Sequence, residues 1–382
     1  MKEMTFGLSP RDRQEHHRVA TPLELFFDLA SVVAIATAAH GLAHAIAANH
    51  AADGVFAFVF SFFAIWWAWM NYTWFASAYD DSGPLFRVIT LLIIFGALVM
   101  AAGISELFEN KPILFIWLGY VVMRLGQVTL WVMAARGDRA HRTTALRYAF
   151  GIAAAQIYWS VVFFVPSPGT ALFRAAFVLG IMFELAVPAF AEKANTTTWH
   201  RHHIIERYGL LNIIVLGEML LAVVTALRKF GDEPTFANPL LHVAVSAAVI
   251  AFSLWWAYFS REEHLRSQEL RHALIWGYGH VVVFAAGAAL GAGFSVLIDV
   301  LTKHADVGLR TGDIAVAIPL ALYLAGLWFI RDRFLAGGAR RHTLLAGAVA
   351  IVVIGFLLPA ALELMALATV LAVIVRSRSS LS

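Results

Sequence analysis

Apolar residues run in blocks of about 20 separated by short polar breaks, the length that crosses the roughly 30 Å hydrocarbon core of a bilayer as a helix. Read this way, the chain predicts spans near 23–44, 55–78, 86–107, 113–134, 145–165, 172–191, 204–227, 239–260, 272–296, 313–331, 342–358 and 360–376. The last two blocks are the shortest and flank Pro359, so two short spans or one kinked helix both fit, giving twelve spans or eleven. The fold class expected is all-α, a polytopic transmembrane bundle of about 12 spans.

The breaks carry the charge. With the N-terminus in the cytoplasm, 21 of the 28 Lys and Arg residues fall on that side, 6 fall on the other and Arg124 lies inside the fourth span. Such a bias predicts a bacterial inner-membrane protein with both termini cytoplasmic. An internal repeat is also suggested. Phe63-Ala64-Ile65-Trp66-Trp67-Ala68-Trp69 in the second span matches Phe252-Ser253-Leu254-Trp255-Trp256-Ala257-Tyr258 in the eighth, and Phe183-Glu184-Leu185 matches Leu362-Glu363-Leu364. His17-Arg18 and His200-Arg201 precede corresponding spans. The expected organisation is a tail over 1–20 and two parallel six-helix repeats, 21–195 and 196–382.

Composition narrows the function classes. Of 382 residues, 60% are hydrophobic and only 14% charged, against about 25% charged in soluble domains. The net charge of +3 sits at span ends rather than in a patch, so the lipid bilayer and not nucleic acid is the expected partner. The absence of cysteine excludes disulfides and thiolate chemistry. The opening twenty residues hold no apolar core of a signal peptide, so none is expected. Every lysine lies in a loop or tail, which excludes a retinal Schiff base, and no Walker loop, GxSxG elbow or HExxH pair occurs. No enzymatic activity, cofactor or metal is therefore expected. The sequence leaves the oligomeric state open.

Ionisable groups inside spans are expensive, by about 2.5–3.5 kcal/mol each, and must be paired, hydrated or functional. Asp28, Arg124, Glu184, Glu206, Glu218, His280 and Glu363 fall in this set. Glu24 belongs to a capping box, with Thr21 as N-cap and Pro22 at the first helical position. Asp28 lies one turn deeper on the same face, beyond the free amides. Glu218, near the midplane, has Arg124 as its expected partner, the one cation wholly inside a predicted span; a static pair and a working ion or proton site are both open. Glu184 and Glu363 each lie four residues from a proline, Pro188 and Pro359, and are expected to accompany kinks. Glu206 adjoins His200, His202 and His203, which read as a hydrated patch rather than a zinc site. Trp66, Trp67, Trp69, Trp74, Trp255 and Trp256 read as packing or an interfacial belt.

Arg18-Val19-Ala20-Thr21-Pro22-Leu23-Glu24-Leu25-Phe26-Phe27-Asp28-Leu29, with Glu206-Arg207-Tyr208-Gly209-Leu210 and Val215-Leu216-Gly217-Glu218, resembles the bacterial low temperature requirement protein A family. The resemblance runs along nearly the whole chain. It implies a polytopic inner-membrane protein and singles out Glu24, Asp28, Glu206 and Glu218, but implies no substrate. The function expected is a secondary transporter or ion-conducting protein moving a small ion or proton, with acids at the repeat interface. The alternative is a non-transporting scaffold or lipid-interacting stress factor.

Overall fold

The computed structural model describes residues 6–12, 15, 18–167, 170–232, 235–260, 265, 269–334, 341–358 and 360–378. Among them lie twelve α-helices and no strand: α1 (Pro22–Ala47), α2 (Ala51–Tyr79), α3 (Pro84–Phe108), α4 (Leu114–Gly137), α5 (Arg142–Phe164), α6 (Ala171–Glu192), α7 (Arg201–Phe230), α8 (Pro239–Phe259), α9 (Leu270–Leu301), α10 (Leu309–Ile330), α11 (Thr343–Leu357) and α12 (Leu362–Arg378). Nine are long and apolar enough to cross a membrane. Of the others, α5 carries Arg142, Arg147 and Gln156, and α11 and α12 are short, at 15 and 17 residues.

The final apolar stretch is two helices. A side chain added at Gly347 would meet Ala372, and one at Gly355 would meet Met365. Position falls along α12 as it rises along α11, the mark of an antiparallel hairpin rather than one kinked rod. Pro359 itself lies outside the described residues, as do His17 and the basic residues Lys2, Arg13, Arg261, Arg266 and Arg340 of the charge count.

By its contacts the chain divides into two compact units, the first holding residues to 37 and 60–208, the second 38–59 and 209–382. In the first, α3 and α4 pack antiparallel through facing glycines: a Cβ at Gly119 would lie 2.4 Å from the Gly96 carbonyl oxygen, and one at Gly103 would strike Ile116. Between membrane helices, close backbone approach replaces the hydrophobic drive that lipid cannot supply. Here too Leu8 is buried, its amide bonded to the Met133 carbonyl at 3.1 Å, and Arg11 donates its amide to Ala78. The tail is thus packed at Leu8 and Arg11.

In the second unit α9 and α10 run antiparallel, with Gly293 against Ala315 and Val283 against Gly326. A charged clasp closes one end. Asp332, just after α10, accepts from Arg376 Nε of α12 at 2.6 Å and from Arg331 Nε at 3.0 Å. The same two guanidiniums bond the last carbonyls of α8: Arg331 reaches Tyr258 and Ala257, and Arg376 reaches Ala257. These carbonyls have no partner within their own helix, so the clasp satisfies them and ties three helix ends together. Arg331 and Arg376, the last residues of their predicted spans and counted among the cytoplasmic charges, are buried.

The tryptophan and glutamate matches behind the suggested repeat do not share environments. Trp66 and Trp67 are buried whereas Trp255 and Trp256 are exposed; Glu184 is buried and Glu363 half-exposed beside His242. The repeat stands as a likeness of sequence.

Candidate functional site

Helix α1 starts where the capping box places it. Glu24 Oε2 accepts from the Thr21 amide at 2.8 Å and Thr21 Oγ1 accepts from the Glu24 amide at 3.3 Å. The other Glu24 oxygen lies 2.9 Å from His203 Nε2. One turn deeper, Asp28 accepts both terminal nitrogens of Arg207, at 2.7 and 2.6 Å, and the Trp69 indole N–H at 2.7 Å. Residues four apart on a helix share a face. Glu24 and Asp28 on α1 therefore meet His203 and Arg207 on α7 as two rungs of one ladder. Below it Trp69 packs edge-on against Tyr208, whose hydroxyl accepts from Trp74 at 3.0 Å.

Two expectations change here. Arg207, counted from the sequence among the cytoplasmic charges, is instead buried and is the partner of Asp28; Glu206, expected beside the histidines, is half-buried and has no hydrogen bond or ion pair among the described residues. The histidines are not a hydrated patch, since His203 and His200 are buried and only His202 is exposed. His200 serves as a cap, its Nδ1 accepting from the His203 amide at 3.3 Å. Burial pushes its pKa down, with His202 and Arg18 acting in the same direction. Among the described residues no group of three His, Asp or Glu can hold a metal ion.

A second centre lies in the same unit. Arg124 of α4 pairs with Glu184 of α6 at 2.5 Å, both side chains essentially buried. Glu184 also accepts from Trp67 at 2.8 Å, Trp159 at 3.0 Å and Tyr120 at 3.2 Å. Arg124 bonds Tyr120 and, at 3.1 Å, Gln127. The adjoining void, walled by Phe60, Phe63, Ile116, Tyr120, Trp159 and Phe177, measures about 10 Å³, at the limit for one water. The expected pairing of Arg124 with Glu218 is therefore corrected: Glu184, read from sequence as the companion of a proline kink, is the partner. Nor is Arg124 the one cation within the helices, since Arg207 is equally buried.

Glu218 stands apart from these networks. It lies at the eighteenth of the 30 residues of α7, half-buried, with no hydrogen bond or ion pair among the described residues. A Cβ at Gly291 of α9 would fall 2.6 Å from its own Cβ, whereas one at Gly217 would meet nothing within 4 Å. Glycine at 291 lets α9 approach the Glu218 backbone closely, and Gly217 faces open space. Among the described residues five buried acids are not foreseen from the sequence: Asp80, Asp138 and Glu192 in the first unit, and in the second Asp313 in the first turns of α10 and Asp332 in the clasp.

No solved structure matches the chain. It is 27% identical over 296 residues to an uncharacterized protein, RA0937, of Rhizobium meliloti (strain 1021), an alignment covering 72% of this chain and 68% of that one. The model of the bacterial low temperature requirement A protein matches residues 19–376, from just before the α1 capping box to the clasp residue Arg376. With that match spanning both acid-bearing helices and nearly the whole sequence, the chain belongs to the bacterial low temperature requirement A (LtrA) family of membrane proteins.

Proposed function

We propose that this protein is a secondary transporter or ion-conducting protein for a small ion or proton, in which Glu218 is the working carboxyl group. The supporting observation is its isolation. In the first unit Asp28 and Glu184 are each held by an arginine, and Glu24 is held by the Thr21 amide and the His203 ring, whereas Glu218, in the second unit, has no such partner among the described residues. A carboxyl group so far inside a span either carries a proton or attracts a cation, and both are elements of coupled transport. Purified protein in proteoliposomes is expected to show pH-dependent ion or proton flux that Glu218→Gln removes without unfolding the chain. Undiminished flux in that variant would eliminate Glu218. Absence of any flux in the wild type would leave the scaffold reading, which the closed ion pairs of the first unit favour. No catalysis and no cofactor enter this proposal.

The setting proposed is the bacterial inner membrane with both termini in the cytoplasm, supported by the 21-to-6 partition of basic residues. A C-terminal reporter is expected to be active only on the cytoplasmic side; periplasmic activity would overturn the orientation.

A further inference from the structure

The second unit contains a cavity of about 210 Å³ where α8, α10 and α12 begin and α9 ends. Its walls are largely apolar, among them Val243, Leu297, Leu301 and Leu309, and Asp313, His242 and Glu363 supply its polar groups. Asp313 is only 1% exposed, and its Oδ1 has no hydrogen-bond partner among the described residues. The carboxyl group is otherwise met by backbone amides alone, Ala361 at a long 3.5 Å from Oδ2 and the neighbouring Ala360. At the rim, His242 Nδ1 lies 2.9 Å from Glu363 Oε1, both side chains about half exposed.

A buried carboxylate oxygen without a donor is costly, by roughly 1–3 kcal/mol or more for a charged group, and calls for one. The donor belongs to a particular class. A metal ion such as Na⁺ or Ca²⁺ would want several oxygen ligands, about 6–8 for Ca²⁺, and hydrocarbon walls provide few. An anion is disfavoured by the two carboxylates and finds the α8 terminus already occupied, because Asn238 Oδ1 accepts from the Leu240 amide at 3.0 Å. Arg310, the nearest cation on α10, is turned to the Phe356 carbonyl at 3.3 Å and leaves Asp313 unneutralised. An ammonium group bearing a short alkyl substituent fits both features, with N–H donors for Asp313 and carbon for the walls. The volume suffices, since about 150 Å³ accepts a benzene ring.

We infer that the cavity lined by Asp313, His242 and Glu363 is a binding site for a small alkylammonium group, with Asp313 as its counter-ion and Glu363 at its entrance. The ammonium can come from a free amine or from an aminophospholipid headgroup. The site is defined by binding alone and stands whether or not Glu218 supports flux.

Equilibrium dialysis of the purified full-length chain in detergent against radiolabelled ethylammonium tests it. Saturable binding is expected, with affinity reduced about tenfold or more in Asp313→Asn through loss of a charge-assisted hydrogen bond. A smaller reduction is expected in Glu363→Gln, and sodium at equal concentration should not displace the amine. Should Asp313→Asn fail to fold, Ala237→Trp decides instead: Ala237 is an exposed wall residue, and the indole is expected to close the mouth and abolish binding. A parallel arm uses nanodiscs. If soluble amines do not bind but phosphatidylethanolamine, and not phosphatidylglycerol, is enriched around the wild type and not around the variants, the ammonium is a lipid headgroup. Failure of both arms, equal binding by Asp313→Asn, or full displacement by sodium would overturn the inference.

Discussion

Removing one member of the Arg124–Glu184 pair should cost more than removing both. The two side chains are 2% and 1% exposed, so Glu184→Gln leaves a guanidinium buried without its counter-charge, at about 3–5 kcal/mol. Arg124→Met strands the carboxylate at a similar cost. In the double variant both charges vanish while the glutamine oxygen can still accept from one of the two indoles, Trp67 or Trp159, which bond different oxygens of Glu184, so a total near 2 kcal/mol is expected against an additive sum of roughly 6–10. The coupling is then at least about 4 kcal/mol, a large share of the roughly 5–15 kcal/mol that holds a folded protein together. Reversible unfolding in mixed micelles, with all four members of the cycle measured alike, gives the number. A single variant within about 1 kcal/mol of wild type, or a double variant equal to the sum of the singles, would refute a dry, mutually dependent pair.

At the ladder, Arg207→Lys keeps the charge but cannot span both oxygens of Asp28, so a loss of about 1–3 kcal/mol is expected by the same unfolding assay; no loss would mean that the bidentate geometry contributes nothing. His200 gives a pH signature. Its pKa is pushed down by burial, so as pH falls through about 6.5 the unfolded chain takes the proton first and stability drops. Protonation of Nδ1 also removes the acceptor that caps α7. His200→Asn, which can cap without titrating, is expected to flatten the stability profile between about pH 7 and 5, and an unchanged profile would assign the acid sensitivity elsewhere.

The helices were legible because the bilayer restricts the alternatives. Predicted and observed limits differ by only a few residues, 23–44 against Pro22–Ala47 for α1 and 272–296 against Leu270–Leu301 for α9, the excess being turns that project past the apolar block. The acids inside apolar runs, Asp28, Glu184 and Glu218, were legible for the same reason, whereas acids at span ends such as Asp313 and Asp332 were not. Nor were the partners. Arg124 and Glu184 lie 60 residues apart and Asp28 and Arg207 lie 179 apart, and no local pattern encodes a contact at such range. One signal was available: Glu24 and Asp28 are spaced by four, as are His203 and Arg207, and complementary spacing on two helices is what a ladder requires. The burial of Arg331 and Arg376 was not legible because charges at span ends read as solvent-facing, although end carbonyls are where guanidiniums find acceptors.

The ladder also sets a schedule for making the protein. Asp28 leaves the ribosome 179 residues ahead of Arg207, an interval of roughly 9–36 s at synthesis rates of about 5–20 residues per second. Throughout that time the first helix carries an acid whose native counter-ion has not yet been synthesised. Until α7 emerges that acid stays near water or carries a proton, so the order of translation, and not only the final packing, determines when the ladder can close.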